Sequence, residues 1–223
     1  MDILLATNAL YENEPEFVAL TDALKAEYVR RHKGMGYLRS TANPYPDLPP
    51  AWAKPRIILD ALAIAEWVVW VDADAAPVGM DADLSGLLKS VPEGKVLMAK
   101  DINGWNSGVF ACHHDQRTID WLSHIDAQRG EERYRTGWWE QQAMMDSFGM
   151  KEWAGIPTEP PKSFGWNDYP DAYPFAIPNV AHDGGWCVHT PGKPDFFRNK
   201  YFSKCLSANG VIKLIDGGFK DDR

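Results

Sequence analysis

The segment that most constrains the fold is Trp67-Val68-Val69-Trp70-Val71-Asp72-Ala73-Asp74. Five consecutive apolar residues, each β-branched or aromatic, read as a strand buried on both faces. The two acids follow at once, so they stand at the carboxyl end of that strand, where open α/β sheets place their ligands. Carboxylates two residues apart at a chain turn can share one divalent cation, one binding it directly and the other through water. Hard oxygen ligands of this kind suit Mg2+ or Mn2+ together with a diphosphate. The plain alternative is a pair of solvated aspartates in a loop, and the buried run that delivers them argues against it.

The flanking sequence gives this strand neighbours. Ile3-Leu4-Leu5-Ala6 is a short apolar run that reads as a buried strand ending in Thr7-Asn8. Phe17, Leu20, Leu24 and Tyr28 recur every three to four residues and predict an amphipathic helix over 15–32, with Pro15 in its first turn and Gly34 and Gly36 ending it. Residues 43–55 hold five prolines and read as an irregular loop, after which Pro55 opens a second helix with Ile58, Leu62 and Ala65 on one face. Lys95–Ala99 and Ser107–Cys112 read as strands, Ile119, Leu122 and Ile125 mark a helix, and Trp139, Ala143 and Met144 mark another. Residues 153–181 carry six prolines and several aromatics and read as a long irregular segment, and Gly185–His189 as a last short strand. Strands alternating with helices in the first half predict an α/β fold with a mixed, mostly parallel sheet, in a single domain spanning 1–223.

Composition removes whole classes of function. The chain has 223 residues with 23 Lys and Arg against 31 Asp and Glu, a net charge of −8. Its densest basic cluster, Arg30, Arg31 and Lys33, is the end of a helix, so nothing here suits nucleic acid, which needs clustered cations. Cys112, Cys187 and Cys205 are odd in number and have no CxxC spacing, which excludes a disulfide framework and a cysteine zinc site. Reduced thiols, no signal-peptide pattern and no 18-residue apolar run predict a cytoplasmic protein without a membrane-spanning segment. Ten tryptophans are many for this length. Indole faces stack on the apolar C–H faces of sugars, although a tryptophan-rich core accounts for the number equally well.

A strand followed by Asp-x-Asp also opens haloacid-dehalogenase-type phosphatases. Those carry the motif on the first strand with a Gly-Thr turn after it. Here it lies some seventy residues in, is followed by Ala75-Ala76-Pro77, and the later Asp221-Asp222 pair sits in a polar tail.

Five motifs in order resemble the GT-A glycosyltransferases, and among them glycosyltransferase family 34, the galactosyl, mannosyl and xylosyl transferases. They are Tyr28-Val29-Arg30-Arg31-His32 with Gly36-Tyr37; Trp52-Ala53-Lys54 ahead of the helix leading to Glu66 through Ala75; Asn106-Ser107-Gly108-Val109-Phe110, shared with the glycogenin-like family 8; Trp139-Glu140-Gln141-Gln142-Ala143-Met144; and His189-Thr190-Pro191-Gly192-Lys193-Pro194. The chain departs from family 34 in having Gly184-Gly185, with Asp183 displaced, where Gly-Asp is usual, and in placing Lys193 directly after the glycine. The family's usual amino-terminal membrane anchor is also not expected here, since no 18-residue apolar run is present.

The resemblance implies a metal-dependent transfer of a hexosyl or pentosyl group from a UDP- or GDP-sugar to a hydroxyl acceptor, with retention of configuration. It implies that Asp72, Asp74 and His189 hold Mn2+ or Mg2+, and that Gly192 and Lys193 meet the diphosphate. Thr7 and Asn8 would contact base and ribose, and Lys54, Asp72, Asn106, Ser107 and Gly108 would complete the donor site. Asp101, Glu140 and Gln141 would lie at the reacting sugar. Several have a plainer alternative: a satisfied structural histidine for His189, a turn for Asn106-Ser107-Gly108 and for Thr7-Asn8, a loop acid for Asp101, a helix-capping acid for Glu140, an exposed loop lysine for Lys193. Trp166, Asp168 and Tyr169, within 153–181, are the expected acceptor contacts, the plainer alternative being that the rings of this segment plug the loop onto the domain. A carbohydrate-binding protein without catalysis would use the same tryptophan-rich surface.

Overall fold

The computed structural model describes residues 1–11, 13–91, 96–101, 104–147, 186–190 and 192–210. Among the described residues seven strands and six α-helices follow in the order β1 (Ile3–Asn8), α1 (Glu16–Arg31), β2 (Met35–Ser40), α2 (Ala53–Leu62), β3 (Trp67–Val71), β4 (Ala75–Pro77), α3 (Leu84–Lys89), β5 (Leu97–Asp101), β6 (Gly104–His113), α4 (Gln116–Ala127), α5 (Trp139–Ser147), β7 (Cys187–His189) and α6 (Asp195–Ala208). The main sheet has the order β2-β1-β3-β6-β5. β1 pairs in parallel with β2 and β3, while β6 runs antiparallel to both β3 and β5. Four of the five strands therefore point the same way and β6 opposes them, which is the mixed, mostly parallel sheet the sequence predicts. A second ribbon pairs β4 with β7 in antiparallel register, Ala75 opposite His189.

Alternation along the strands divides the apolar residues into two cores. Ile3, Leu5, Val69, Val71, Val109 and Ala111 face the layer of α1, α3 and α6, where Phe17, Leu24, Tyr28 and Phe202 pack. Leu4, Ala6, Val68, Trp70, Phe110 and Cys112 face α2, α4 and α5, where Trp52, Ile58, Trp121 and Met144 pack. β3 thus serves both cores, which is why it is apolar at every position. Each fully buried side chain of this size contributes about 1.5–3 kcal/mol, so burial on both faces anchors this strand firmly.

Local chemistry sets the helix ends. Pro15 stands just ahead of α1, with Glu16 in the first turn and Arg30 and Arg31 in the last, matching the helix dipole. Asp115 caps α4 by accepting from the Thr118 backbone N–H at 2.9 Å, worth about 1 kcal/mol. The proline-rich loop resolves partly into a single 3-10 turn, Pro50–Trp52, that leads straight into α2 two residues ahead of Pro55. β2, β4, α3 and α6 are additions to the sequence reading. Residues 153–181, expected to be irregular, lie outside the described residues.

Candidate active site

The end of β3 is tied down on three sides. The Asp72 backbone N–H donates to Gly108 O at 2.8 Å, and Thr21 Oγ1 on α1 donates to Ala73 O at 2.6 Å. The Thr190 N–H and hydroxyl both donate to Asp74 O, at 3.1 and 2.8 Å. The Asp-Ala-Asp turn is therefore a fixed platform, with β7 bringing His189 beside it.

Each aspartate has one oxygen occupied by the protein and the other aimed at His189. Asp72 Oδ1 accepts from Trp70 Nε1 at 2.7 Å and lies 3.1 Å from Lys54 Nζ, leaving Oδ2 3.8 Å from His189 Nε2. Asp74 Oδ2 accepts from Arg198 Nη2 at 3.0 Å, leaving Oδ1 3.1 Å from the same nitrogen. Ligand atoms of the three residues lie within 4.8 Å of one another. Neighbouring ligands on an octahedral cation bound at about 2.0–2.1 Å stand roughly 3 Å apart, so the set fits a hard divalent ion with little adjustment. His189 Nδ1 is buried with no hydrogen-bond partner among the described residues, and Nε2 is the ring atom that faces both aspartates.

The electrostatics follow from burial against these partners. Burial opposes the charge on His189, but Asp74 outweighs it and raises the imidazole above its usual pKa. Burial likewise opposes ionisation of Asp74, and His189 with Arg198 overturns it, holding the carboxyl at about 2. Tyr11, at the cavity wall, is pushed up to about 12 by burial and then by Asp74 and Asp72.

On the other side of β3, Lys54 forms the hub of a buried cluster. Its ammonium lies 2.8 Å from Glu140 Oε1, 3.0 Å from Ser107 O and 3.1 Å from Ser107 Oγ, besides Asp72. Burial disfavours this charge, and Asp72 and Glu140 more than restore it, raising the lysine pKa. Ser107 Oγ donates to Glu140 Oε1 at 2.9 Å, and Gln141 Oε1 accepts from the Ser107 N–H at 3.0 Å. Of the residues read from the sequence as donor contacts and catalytic groups, Lys54, Asp72, Ser107, Glu140 and Gln141 are thus one hydrogen-bonded unit.

A bulge makes this possible. Ala99 pairs with Asn106 and Met98 with Phe110, so Ser107, Gly108 and Val109 of β6 have no counterpart in β5. In unbroken alternation Ser107 would share the face of Val109, towards α1. The bulge resets the pattern and turns Ser107 towards Lys54 on α2 and Glu140 on α5, a common use of bulges beside active sites. Asn106 Oδ1 accepts from the Gly108 N–H at 2.6 Å within the same irregularity.

These groups surround a cavity of about 550 Å3. Asn8, Lys54, Asp72, Asp74, Asn106, Ser107, Glu140, Gln141, His189 and Gly192 all line it. Thr7 does not: it is fully buried and its hydroxyl accepts from Lys25 Nζ at 3.3 Å, so it supports the floor from below. Gly108 is likewise behind the wall, against the His189 ring. Gly192 has φ 66, a left-handed conformation suited to glycine, and Lys193 follows it with its N–H donating to Thr190 O. Asp101 closes β5. Trp166, Asp168 and Tyr169 lie outside the described residues.

Sequence reasoning missed several cavity residues. It also missed Arg198, which does not line the cavity but holds Asp74 from α6, a helix without a clear apolar stripe. Tyr11 lies in the segment after β1. Trp138 and Trp139 stand 44% and 38% exposed at the cavity wall, with Trp139 at φ 45. Their signal was available as a tryptophan pair directly before Glu140-Gln141.

No protein-family profile and no curated protein sequence matches the chain. Solved structures do. A glycosyltransferase involved in the glycosylation of the major capsid of PBCV-1 superposes with a TM-score of 0.66 at 15% identity, over 92% of this chain and 100% of the other. The galactosyltransferase LgtC, in complex with donor and acceptor sugar analogs, gives 0.50 at 10% identity, over 93% and 96%. The glycosyltransferase GlyE of Streptococcus pneumoniae TIGR4 gives 0.52 at 11% identity, over 94% of this chain and 64% of the other. At such identities the likeness speaks for architecture: the chain has the GT-A glycosyltransferase fold, its mixed sheet flanked by helices and its Asp-x-Asp turn at the end of the central strand.

Proposed function

We propose that the chain transfers a hexosyl or pentosyl group from a UDP- or GDP-sugar to a hydroxyl of a carbohydrate acceptor, with Asp72, Asp74 and His189 holding Mn2+ or Mg2+. The observation that carries this reading is the meeting, at one cavity, of a three-ligand cluster with the Lys54–Ser107–Glu140–Gln141 network. The order of motifs supports a place near glycosyltransferase family 34, with glycogenin-like family 8 features. Three free thiols support a reducing, cytoplasmic setting. Among the described residues no helix is long and apolar enough to cross a membrane.

When bound, the cation supplies positive charge at the diphosphate as the leaving oxygen becomes negative. Asp72 and Asp74 each offer one oxygen to it, because Lys54, Trp70 and Arg198 hold the other two. Lys54 lies 3.1 Å from Asp72 and 2.8 Å from Glu140, so Glu140 acts as its counter-ion and as a positioning residue. Gln141, anchored to Ser107 through its carbonyl oxygen, keeps its amide donors for a sugar hydroxyl beside the reacting carbon. Gly192 allows close backbone approach to phosphate, and Lys193 adds positive charge there. Glu140 is engaged by Lys54, which leaves no free carboxylate nucleophile among the described cavity residues and favours front-face substitution with retention. The bond from anomeric carbon to phosphate oxygen breaks, the acceptor oxygen bonds on the same face, and its proton passes to the departing phosphate oxygen.

A thermal-shift screen of UDP- and GDP-sugars, with and without Mn2+, tests this. One donor is expected to raise Tm only with the metal, and to lose its sugar slowly to water. If no donor stabilises the protein the proposal fails, and sugar binding without donor hydrolysis would make it a carbohydrate-binding protein.

A further inference from the structure

Beside the main cavity lies a second, of about 430 Å3, whose walls include Arg133, Tyr134, Trp138, Gln142 and Asp146. Gly137 and Trp138 line both, so the two hollows share a wall. That wall is built at a cost to folding. Trp52, Trp70, Trp121 and Trp186 are each at most 1% exposed, whereas Trp138 is 44% exposed. The backbone around it is unusual too, with Gly137 at φ 79 and Trp139 at φ 45. A left-handed aromatic residue costs of the order of 1–3 kcal/mol and persists where function holds it.

The polar lining is organised. Asp146 is 3% exposed and accepts from Tyr134 Oη at 2.8 Å and from Gln142 Nε2 at 2.6 Å. A carboxylate has about four lone-pair sites, so two bonds leave it able to accept more. Arg133 lies 4.5 Å over the Tyr134 ring and donates to Glu131 at 2.9 Å, which fixes its guanidinium at the rim. A partly exposed indole lining the same hollow as a buried carboxylate and an amide suits a neutral, hydroxyl-rich ligand with one apolar face. An anionic ligand would meet Asp146, and a flat aromatic one would leave the Asp146–Gln142 pair unused.

We infer that this second cavity is a saccharide subsite: a pyranose stacks on Trp138 and donates hydroxyl protons towards Asp146. Its assignment to the acceptor chain, one residue beyond the reacting sugar, rests on the transferase reading; the binding itself does not. The site differs from the expected contacts Trp166, Asp168 and Tyr169 and adds to them.

The test uses the full chain labelled with 5-fluorotryptophan, the Trp138 fluorine resonance being assigned from Trp138→Phe. Methyl glycosides of glucose, galactose, mannose, xylose, fucose and N-acetylglucosamine are titrated without metal or nucleotide. At least one is expected to shift the Trp138 resonance saturably, and Gln142→Ala, at a partly exposed position, to weaken that titration by about tenfold. If no glycoside moves the resonance, or if Gln142→Ala leaves the titration unchanged, the subsite is overturned. Mn2+ and UDP-glucose or GDP-mannose are titrated into the same sample. Glycoside shifts without metal or donor binding would leave the subsite standing and count against the transferase; the reverse result would do the opposite.

Discussion

Gly108 and His189 are packed so closely that no side chain fits between them. A Cβ built on Gly108 would stand 2.2 Å from Cε1 and 2.6 Å from Nδ1 of the imidazole. Gly108→Ala must therefore push the ring off the two aspartates, with an overpacking cost of about 1–3 kcal/mol. We expect the variant to fold with a lowered Tm and to bind Mn2+ at least tenfold more weakly, as followed by electron paramagnetic resonance of the free ion. Unchanged Mn2+ affinity would remove His189 from the ligand set.

The acid with the depressed pKa gives a second test. Asp74→Asn keeps the shape and loses the charge that binds a cation. Donor binding should fall by at least a hundredfold with little change in Tm, and EDTA should produce the same loss in the parent, reversible with Mn2+. Unfolding of the asparagine variant would make Asp74 a structural acid that anchors Arg198.

Lys54 should matter more to stability than to donor affinity. Removing one partner from a buried ionic cluster leaves its counter-ions unpaired and costs about 3–5 kcal/mol. Lys54→Met is expected to show that loss in urea denaturation. Adding Glu140→Gln should recover part of it, since one stranded charge is then gone. Full additivity of the two losses would mean that the 2.8 Å contact is energetically silent.

Arg198 holds three elements together: its guanidinium reaches Asp74 Oδ2 and Thr190 O, and its Cζ lies 4.6 Å over the Phe17 ring. Lysine retains the charge but not the fork. Arg198→Lys should lower kcat/KM for donor hydrolysis about tenfold with Tm nearly unchanged, while Arg198→Met lowers both. Equal activity of Arg198→Lys and parent would reduce the arginine to a packing residue.

Away from the site, Glu27 reports on acid stability. Hydrogen bonds from Arg30 and then Arg31, against burial, lower its pKa from 4.5 to about 2. The folded state holds this group ionised below its unfolded pKa, so its stabilisation is complete above about 4.5 and is lost as pH falls towards 2. The Tm difference between parent and Glu27→Gln should therefore be present at pH 6 and shrink across that window. A difference that is constant with pH would mean the pairs contribute nothing through charge.

How much of this was legible in the sequence depended on whether a residue's neighbours in space are also its neighbours in the chain. β3, α1, α2, α4 and α5 were readable because each buries a continuous or periodic set of apolar residues. β2 was not: Met35–Ser40 is an edge strand, half-buried at every position, with glycine, arginine and serine in it. β4 is three residues long, too short for any period, and α6 mixes Lys, Arg and Asn with aromatics around its whole surface. The candidate metal-ligand cluster was readable at Asp72 and Asp74, which stand two positions apart in the chain. Arg198 reaches Asp74 across 124 positions, and only the fold brings it there.

The irregularity opposite Met98 and Ala99 sets two demands on the chain against each other. Deleting Ser107 shortens the stretch unpaired with β5 and moves β6 towards a continuous ladder there, while Gly108 and Val109 stay tied to β3. Such a deletion also takes away the residue that Lys54, Glu140 and Gln141 meet. Selection for heat resistance alone would favour trimming here, whereas selection for activity would forbid it. A descendant that had lost its chemistry but kept the architecture should carry that deletion as a scar, and the length of β6 would record which pressure its lineage had obeyed.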